Sequence, residues 1–326
     1  MPERGPVGVV ITAKGESPQR LARLLDAVTA QSIDRPIEVV IAHPPEETVV
    51  TPEPRGPIES VRLVDNPGGG RSTGLNLAIE ASTAEVLCRL DARTVPPPDY
   101  LARCVARLEA DPTVGMVGGV QSPVPGASGV VARGVARALA NPWALGAPAY
   151  RRTSTGGAVD TVYLGAFRRS EVLAVGGYDV RLDANEDFDL AQRLRDRGLV
   201  VWLEAELVVP YEARTSISAV WKQYLAFGRS KMRFWRVTGR RPNGRQVLAL
   251  TAAGAGVAAA VIWVRDVERA AVVVLGGLAA AAAVDHLADP SERSPAVRAA
   301  TIAANGAAIG AWLSGVLVEA VRSERV

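Results

Sequence analysis

Asp91 stands one residue beyond the apolar run Glu85 to Leu90, in the stretch Arg89-Leu90-Asp91-Ala92-Arg93. A carboxylate just past the end of a buried strand can hold a metal-bound diphosphate or a sugar hydroxyl, and it can equally cap an ordinary turn. A second candidate is Asn66-Pro67-Gly68-Gly69-Gly70-Arg71-Ser72, a glycine-rich loop running into a helix. Backbone N-H groups at such a helix start can bind phosphate. The loop matches neither the P-loop nor the dinucleotide fingerprint, so a turn capped by Ser72 explains it as well. The third is an acidic knot, Asp183, Glu186, Asp187 and Asp189, which follows a glycine-broken aromatic segment (Tyr163, Gly165, Phe167) and the pair Arg168 and Arg169. Asn185 is placed to N-cap a helix through its side-chain oxygen, the acids suit the positive end of that helix, and Gly198 is a fitting stop. Taken alone, the stretch reads as a well-capped surface helix with Leu190, Ala191 and Leu194 on its apolar face.

These residues need elements to position them. Val7 to Thr12 is a short apolar run without alternation, the pattern of a strand buried on both faces. Leu21, Leu24, Leu25 and Val28 follow at helical spacing, and Ile37 to Ala42 is a second strand of the same type. Such a strand, helix, strand unit pairs in parallel through a right-handed crossover. The alternation continues with Val61 to Val64, Ser72 to Ala81, Glu85 to Leu90 and a helix bearing Leu101, Cys104, Val105 and Leu108. An open α/β sheet is expected, with ligands beyond the carboxyl ends of its strands. Thr12 to Glu16, His43 to Glu46, Asn66 to Ser72 and Asp91 to Arg93 occupy those ends.

With 326 residues the chain exceeds one average domain, which predicts a catalytic-size domain and a further region. A net charge of +3 is nearly balanced and says little about nucleic acid globally, and no recognition motif accompanies the local basic cluster, so nucleic acid is not expected as a partner. Cys88 and Cys104 fall at a strand and on an apolar helix face, so they read as buried thiols of a reducing compartment. No signal peptide is expected from MPERGPVGVVITA, and the N-terminal part is expected in the cytoplasm.

Taken in order, NPGGGRSTGLNLAIEAS, RLDARTVPPPDYL, VGMVGGVQSP, VDTVYLGAFRR, VGGYDVRLDANEDFDLAQRLRDRG and SISAVWKQYLAFGRSK resemble family 2 glycosyltransferases of the succinoglycan-biosynthesis (ExoA-like) type. The likeness implies a GT-A fold, a Rossmann-like mixed sheet flanked by helices, over residues 1–240. It implies transfer of a hexose from a nucleotide sugar, UDP-hexose by preference, to a lipid-linked saccharide, with inversion, in cell-surface polysaccharide assembly. By position, Asp187 is the general base, with Glu186 beside it binding the acceptor or orienting the base. The likeness puts Thr12, Glu16, Arg71, Asn76, Asp91, Arg93, Gln223 and Arg229 on the donor, and Gly165, Arg168 and Tyr224 on the acceptor. Asp91 is the first acid of a D-x-D motif and the expected ligand of Mg2+ or Mn2+.

Two departures bear on this. The second strand runs into Ile41-Ala42-His43-Pro44-Pro45-Glu46 where the family has an acid, leaving His43 or Glu46 as substitutes, and Arg93 stands at the second acid of the D-x-D motif. A divalent ion prefers oxygen ligands, so Arg93 is expected to supply positive charge and to weaken or remove metal dependence. A catalytically degenerate scaffold and a polyprenyl-phosphate sugar synthase remain as alternative functions.

After Trp235 the composition changes. Arg229, Lys231, Arg233, Arg236, Arg240, Arg241 and Arg245 form a basic collar ahead of three Ala- and Gly-rich runs, Val247 to Val264, Ala270 to Leu287 and Ala296 to Val318. Their lengths suit bilayer spans, predicting a membrane-associated helical region over residues 246–322 with Asp285 and His286 near an interface. The collar puts the catalytic domain on the cytoplasmic face of the inner membrane.

Overall fold

Val7–Thr12 forms β1, paired in parallel with β2 (Ile37–His43) on one side and β4 (Val86–Arg89) on the other, while β2 pairs in parallel with β3 (Ile58–Asp65). The computed structural model describes residues 5–51, 53–141, 149–152, 155–182, 184–244, 246–248, 250–251, 277 and 281–322. Asp183 and most of the first two apolar runs lie outside them. Beyond β4 the sheet becomes mixed. β7 (Tyr163–Arg168) runs antiparallel between β4 and β5 (Val114–Val124). With β6 (Gly157–Ala158) and β8 (Val200–Glu212) the order is β3-β2-β1-β4-β7-β5-β8-β6.

Period-two burial builds a core on each face of this sheet. Val7, Val9 and Ile11 join Leu21, Leu24 and Leu25 of α1 (Pro18–Thr29) and Leu101, Cys104 and Leu108 of α3 (Tyr100–Ala110). Val10, Val40 and Ala42 point the other way, to Leu75 and Ile79 of α2 (Arg71–Ala81) and to Leu190 and Leu194 of α7 (Glu186–Asp196). Every apolar position that the helical spacing picks out in α1 and α3 is buried, and both cysteines are free and buried as expected. In the β1/β4 register Val10 faces Arg89, which carries Thr12 and Asp91 to the same carboxyl edge.

Two local expectations are corrected, and a third holds. Asn185 occupies the N-cap of α7 but adopts left-handed φ of +68° and makes no side-chain cap. Gly70, rather than Ser72, is the N-cap of α2; Ser72 lies inside the first turn and donates from Oγ to Leu182 O at 2.7 Å. Gly198 does follow the last turn of α7, at φ +85°.

The chain separates into two units, residues 1–122 with 148–211, and 123–147 with 212–326. The first also holds the short helices α5 (Ala149–Arg152) and α6 (Arg169–Ala174); the second contains α4 (Val130–Ala140), α8 (Ile217–Thr238), a helical segment over 281–288 and α9 (Pro295–Val321). Glycines set its packing. A Cβ at Gly228 of α8 would collide with the Trp312 carbonyl of α9, and one at Gly315 of α9 with the Leu225 carbonyl of α8. Only bare backbone allows so close a helix pair.

Asp285 is not at an open polar interface. It is buried and paired with Arg298 at 2.8 Å and Arg137 at 3.0 Å. Among the described residues, α9 is the one helix long and apolar enough to cross a membrane, on length and composition alone. It matches the third expected run.

Candidate active site

Arg89 is the last residue of a strand whose four residues are all buried, so its guanidinium must find charge partners or suffer desolvation. It finds three. Nη1 donates to Asp187 Oδ2 at 2.8 Å, and Nη2 lies 3.5 Å from Asp91 Oδ2 and 3.9 Å from Glu186 Oε1. Burial alone would lower the arginine pKa, but the carboxylates of Asp187, Asp91 and Glu186 outweigh it and raise the value. A second guanidinium stands above the first. Arg71, at the start of α2, reaches Asp91 at 3.5 Å and Glu186 at 3.6 Å.

Two further residues bear on Asp187. The buried Tyr178 phenol lies close enough to feel the Asp187 carboxylate, which adds to the effect of burial in raising its pKa. Asn76, on α2, in turn fixes the Tyr178 backbone, donating from Nδ2 to Tyr178 O at 2.8 Å and accepting from Tyr178 N at 2.7 Å. The structure therefore uses one donor and one acceptor of the Asn76 amide on the chain that carries the acids. Arg89 and Tyr178 were not singled out as site residues from sequence. The signal for Arg89 was there: an arginine inside Val86-Leu87-Cys88-Arg89-Leu90 cannot be buried without anions.

The other expected site residues divide by position. Thr12 ends β1, its methyl facing Gly74 of α2. Glu16 accepts from Arg93 Nε at 2.9 and 3.2 Å and lies 3.8 Å from Arg20. Arg93 is thus held by Glu16. In the glycine-rich loop, Gly68 and Gly69 both have positive φ, and Lys14 Nζ donates to Gly68 O at 3.0 Å. His43 is buried with Nδ1 2.8 Å from Pro44 O, while Glu47, rather than Glu46, reaches the end of β1 by accepting from Gly15 N at 2.8 Å.

Arg168 is corrected. It faces Val86, at the opposite end of β4 from Asp91, and its guanidinium donates to the carbonyls of Val114 at 2.7 Å, Asp111 at 3.1 Å and also Leu108. Its role there is to close the end of α3. Gly165 lies in β7 where a Cβ would press on the Met116 sulfur at 3.2 Å, so its lack of a side chain serves packing. Gln223, Tyr224 and Arg229 lie on α8 in the second unit. There Gln223 accepts from Arg214, Tyr224 meets Phe227 edge-on at 5.6 Å, and Arg229 pairs with Glu319 at 3.3 Å.

The residues do not fit a resident divalent ion. Asp91 Oδ2 lies 3.5 Å from the guanidinium groups of both Arg71 and Arg89, and residue 93 is itself an arginine. Among the described residues no group of three or more His, Cys, Asp or Glu side chains could hold a metal. Without substrate a hard cation would find here one carboxylate, already paired with two guanidinium groups, and would have to draw its other oxygen ligands from water.

Glu186 carries the effect of crowding. Burial, reinforced by the Asp187 carboxylate, raises its carboxyl from 4.5 to about 7 against the pull of Arg71 and Arg89. A folded value above the unfolded one means the native state binds this proton more tightly. Stability then falls as pH rises from 4.5 to about 7 and stays lower above that window. Glu186→Gln, which mimics the protonated acid, is expected to be near neutral for stability at about pH 4 and to raise Tm over the parent at about pH 8. Melting curves at the two pH values check this; a Tm difference independent of pH would refute it.

Residues 8–132 match the sequence model of Glycosyl transferase family 2. The succinoglycan biosynthesis protein ExoA of Rhizobium meliloti (strain 1021) is 27% identical over 207 residues, which is 63% of this chain and 60% of ExoA. The mannosyltransferase PcManGT from Pyrobaculum calidifontis, solved in complex with GDP-Man and Mn2+, has a TM-score of 0.66 at 20% identity over 98% of this chain and 88% of that one. That identity speaks to fold alone, and the fold is the mixed, helix-flanked GT-A sheet expected. Residues 8–132 are thus similar to Glycosyl transferase family 2, and the likeness to ExoA spans a longer stretch of 207 residues.

Proposed function

We propose that the protein transfers a hexose from a nucleotide sugar to an acceptor hydroxyl with inversion at the anomeric carbon, Asp187 serving as base. The observation that carries this reading is the single guanidinium of Arg89, which ties Asp187 at 2.8 Å and Asp91 at 3.5 Å to one carboxyl edge of the sheet. A group facing the donor and a group able to take a proton are thereby held a short distance apart. Asp187 is the more accessible acid of the pair at the start of α7, with its side chain 34% exposed against 5% for Glu186. In the reaction the acceptor oxygen bonds to the anomeric carbon as its proton passes to Asp187. The bond from that carbon to the diphosphate oxygen breaks, and the electron pair leaves with the nucleoside diphosphate. Glu186, behind the base, fixes the start of α7 through Arg71 and Arg89.

The donor is taken to be a UDP-hexose and the acceptor a lipid-linked saccharide in cell-surface polysaccharide assembly. The ExoA likeness supports the second, since that protein is named for succinoglycan biosynthesis. Helix α9, 27 residues long, and the basic residues of α8 support attachment to the cytoplasmic face of the inner membrane. Full-length protein in detergent, given UDP-, GDP- and dTDP-sugars with a membrane-lipid extract, is expected to consume one donor and label a lipid product. Nucleotide binding without any turnover across the panel would instead favour a degenerate scaffold, and a monophosphate sugar lipid as product would mark a polyprenyl-phosphate sugar synthase.

A further inference from the structure

We infer that this site takes the donor's diphosphate with the Arg71 guanidinium in the place of a divalent ion. The inference rests on the donor reading above and concerns how that donor is held.

A metal at Asp91 would have to displace two guanidinium groups at 3.5 Å and would find no second carboxylate at residue 93. The charge it would bring is already built in. Arg89 is unsuited to the task because its side chain is 5% exposed and one nitrogen is committed to Asp187 at 2.8 Å. Arg93, the candidate from sequence, has its Nε committed to Glu16 at 2.9 and 3.2 Å. Arg71 differs from both. Its side chain is 43% exposed, and it approaches Asp91 at 3.5 Å and Glu186 at 3.6 Å, which are ion-pair separations longer than hydrogen bonds. It is thus oriented by two acids without spending its N-H donors on them. A guanidinium so placed can grip two phosphate oxygens in parallel. Asp91 and Glu186 then act to aim Arg71, and Arg89 keeps them neutralised when Arg71 turns to the diphosphate. Lysine at this position would keep the charge but lose the planar fork.

The test is titration calorimetry of UDP and of GDP into full-length protein in detergent, with chelator, with Mg2+ and with Mn2+, for the parent, Arg71→Met and Arg71→Lys. For the nucleotide that binds, the parent Kd is expected to agree within about threefold across the three conditions, while Arg71→Met weakens binding by about tenfold or more and Arg71→Lys by less. Arg89 still neutralises Asp91 and Glu186 in the variants, so they are expected to stay folded, and Tm is recorded beside each titration. Binding that vanishes in chelator and returns with Mn2+ would overturn the inference, as would Arg71→Met binding like the parent in chelator. Failure of either nucleotide to bind the parent under any condition would overturn the donor reading itself, and this inference with it.

Discussion

Asp187→Asn is expected to lower kcat by about 10²- to 10⁴-fold while nucleotide still binds within about threefold of the parent. The amide is nearly isosteric, and its oxygen can still accept from Arg89, the group that holds the carboxylate. What it cannot do is take a proton from the acceptor hydroxyl. The split between turnover and binding separates a base from a binding acid, because a residue that only held the donor would lose affinity as well. The variant also removes the like charge that helps push the Glu186 carboxyl up, so its stability is expected to fall less between pH 4.5 and 7 than that of the parent. Undiminished turnover in Asp187→Asn would remove the residue from the mechanism.

Arg89→Met is expected to cost about 3–5 kcal/mol of stability at neutral pH and to abolish measurable turnover. The side chain is 5% exposed and serves three acids, so its loss strands charge in a place that water reaches poorly. The pH dependence follows from Asp91. Burial would raise the Asp91 carboxyl, yet Arg89, Arg71 and Arg93 together hold it below its ordinary 3.8. A depressed carboxyl contributes stability that is present above its unfolded value and lost as pH falls through the folded one. Without Arg89 that contribution shrinks, so the deficit of the variant is expected to be largest near neutrality and to narrow below about pH 4. Arg89→Lys retains a charge but not two parallel donors, and should fall between the parent and Arg89→Met. Urea unfolding at the two pH values measures this; a deficit under about 1 kcal/mol at neutral pH, or one unchanged by acid, would show that the buried guanidinium is not what holds the acids.

Both predictions turn on pairings that local sequence does not record. The unalternating run Val7 to Thr12 determined a strand buried on both faces, and it is β1 to the residue. The spacing of Leu21, Leu24, Leu25 and Val28 determined which face of α1 is buried. From strands and crossovers alone it followed that Thr12 and Asp91 share a carboxyl edge, because parallel strands must end on the same side. Such features are legible because each is a burial pattern written within a dozen residues or fewer.

The tertiary structure alone decided what those residues touch. Asp187 meets Arg89 across 98 positions of chain because antiparallel β7 inserts beside β4 and returns the chain to α7 on the same face. The same insertion sends Arg168 to the far end of β4, although it lies three residues from Gly165 in sequence. Asn76 and Arg93 are polar side chains near a strand edge, and as such read equally well as donor contacts. Only strand order and register show the first closed on Tyr178 and the second on Glu16. Burial is dictated residue by residue through transfer from water, whereas charge pairing depends on which distant segments the sheet brings within reach.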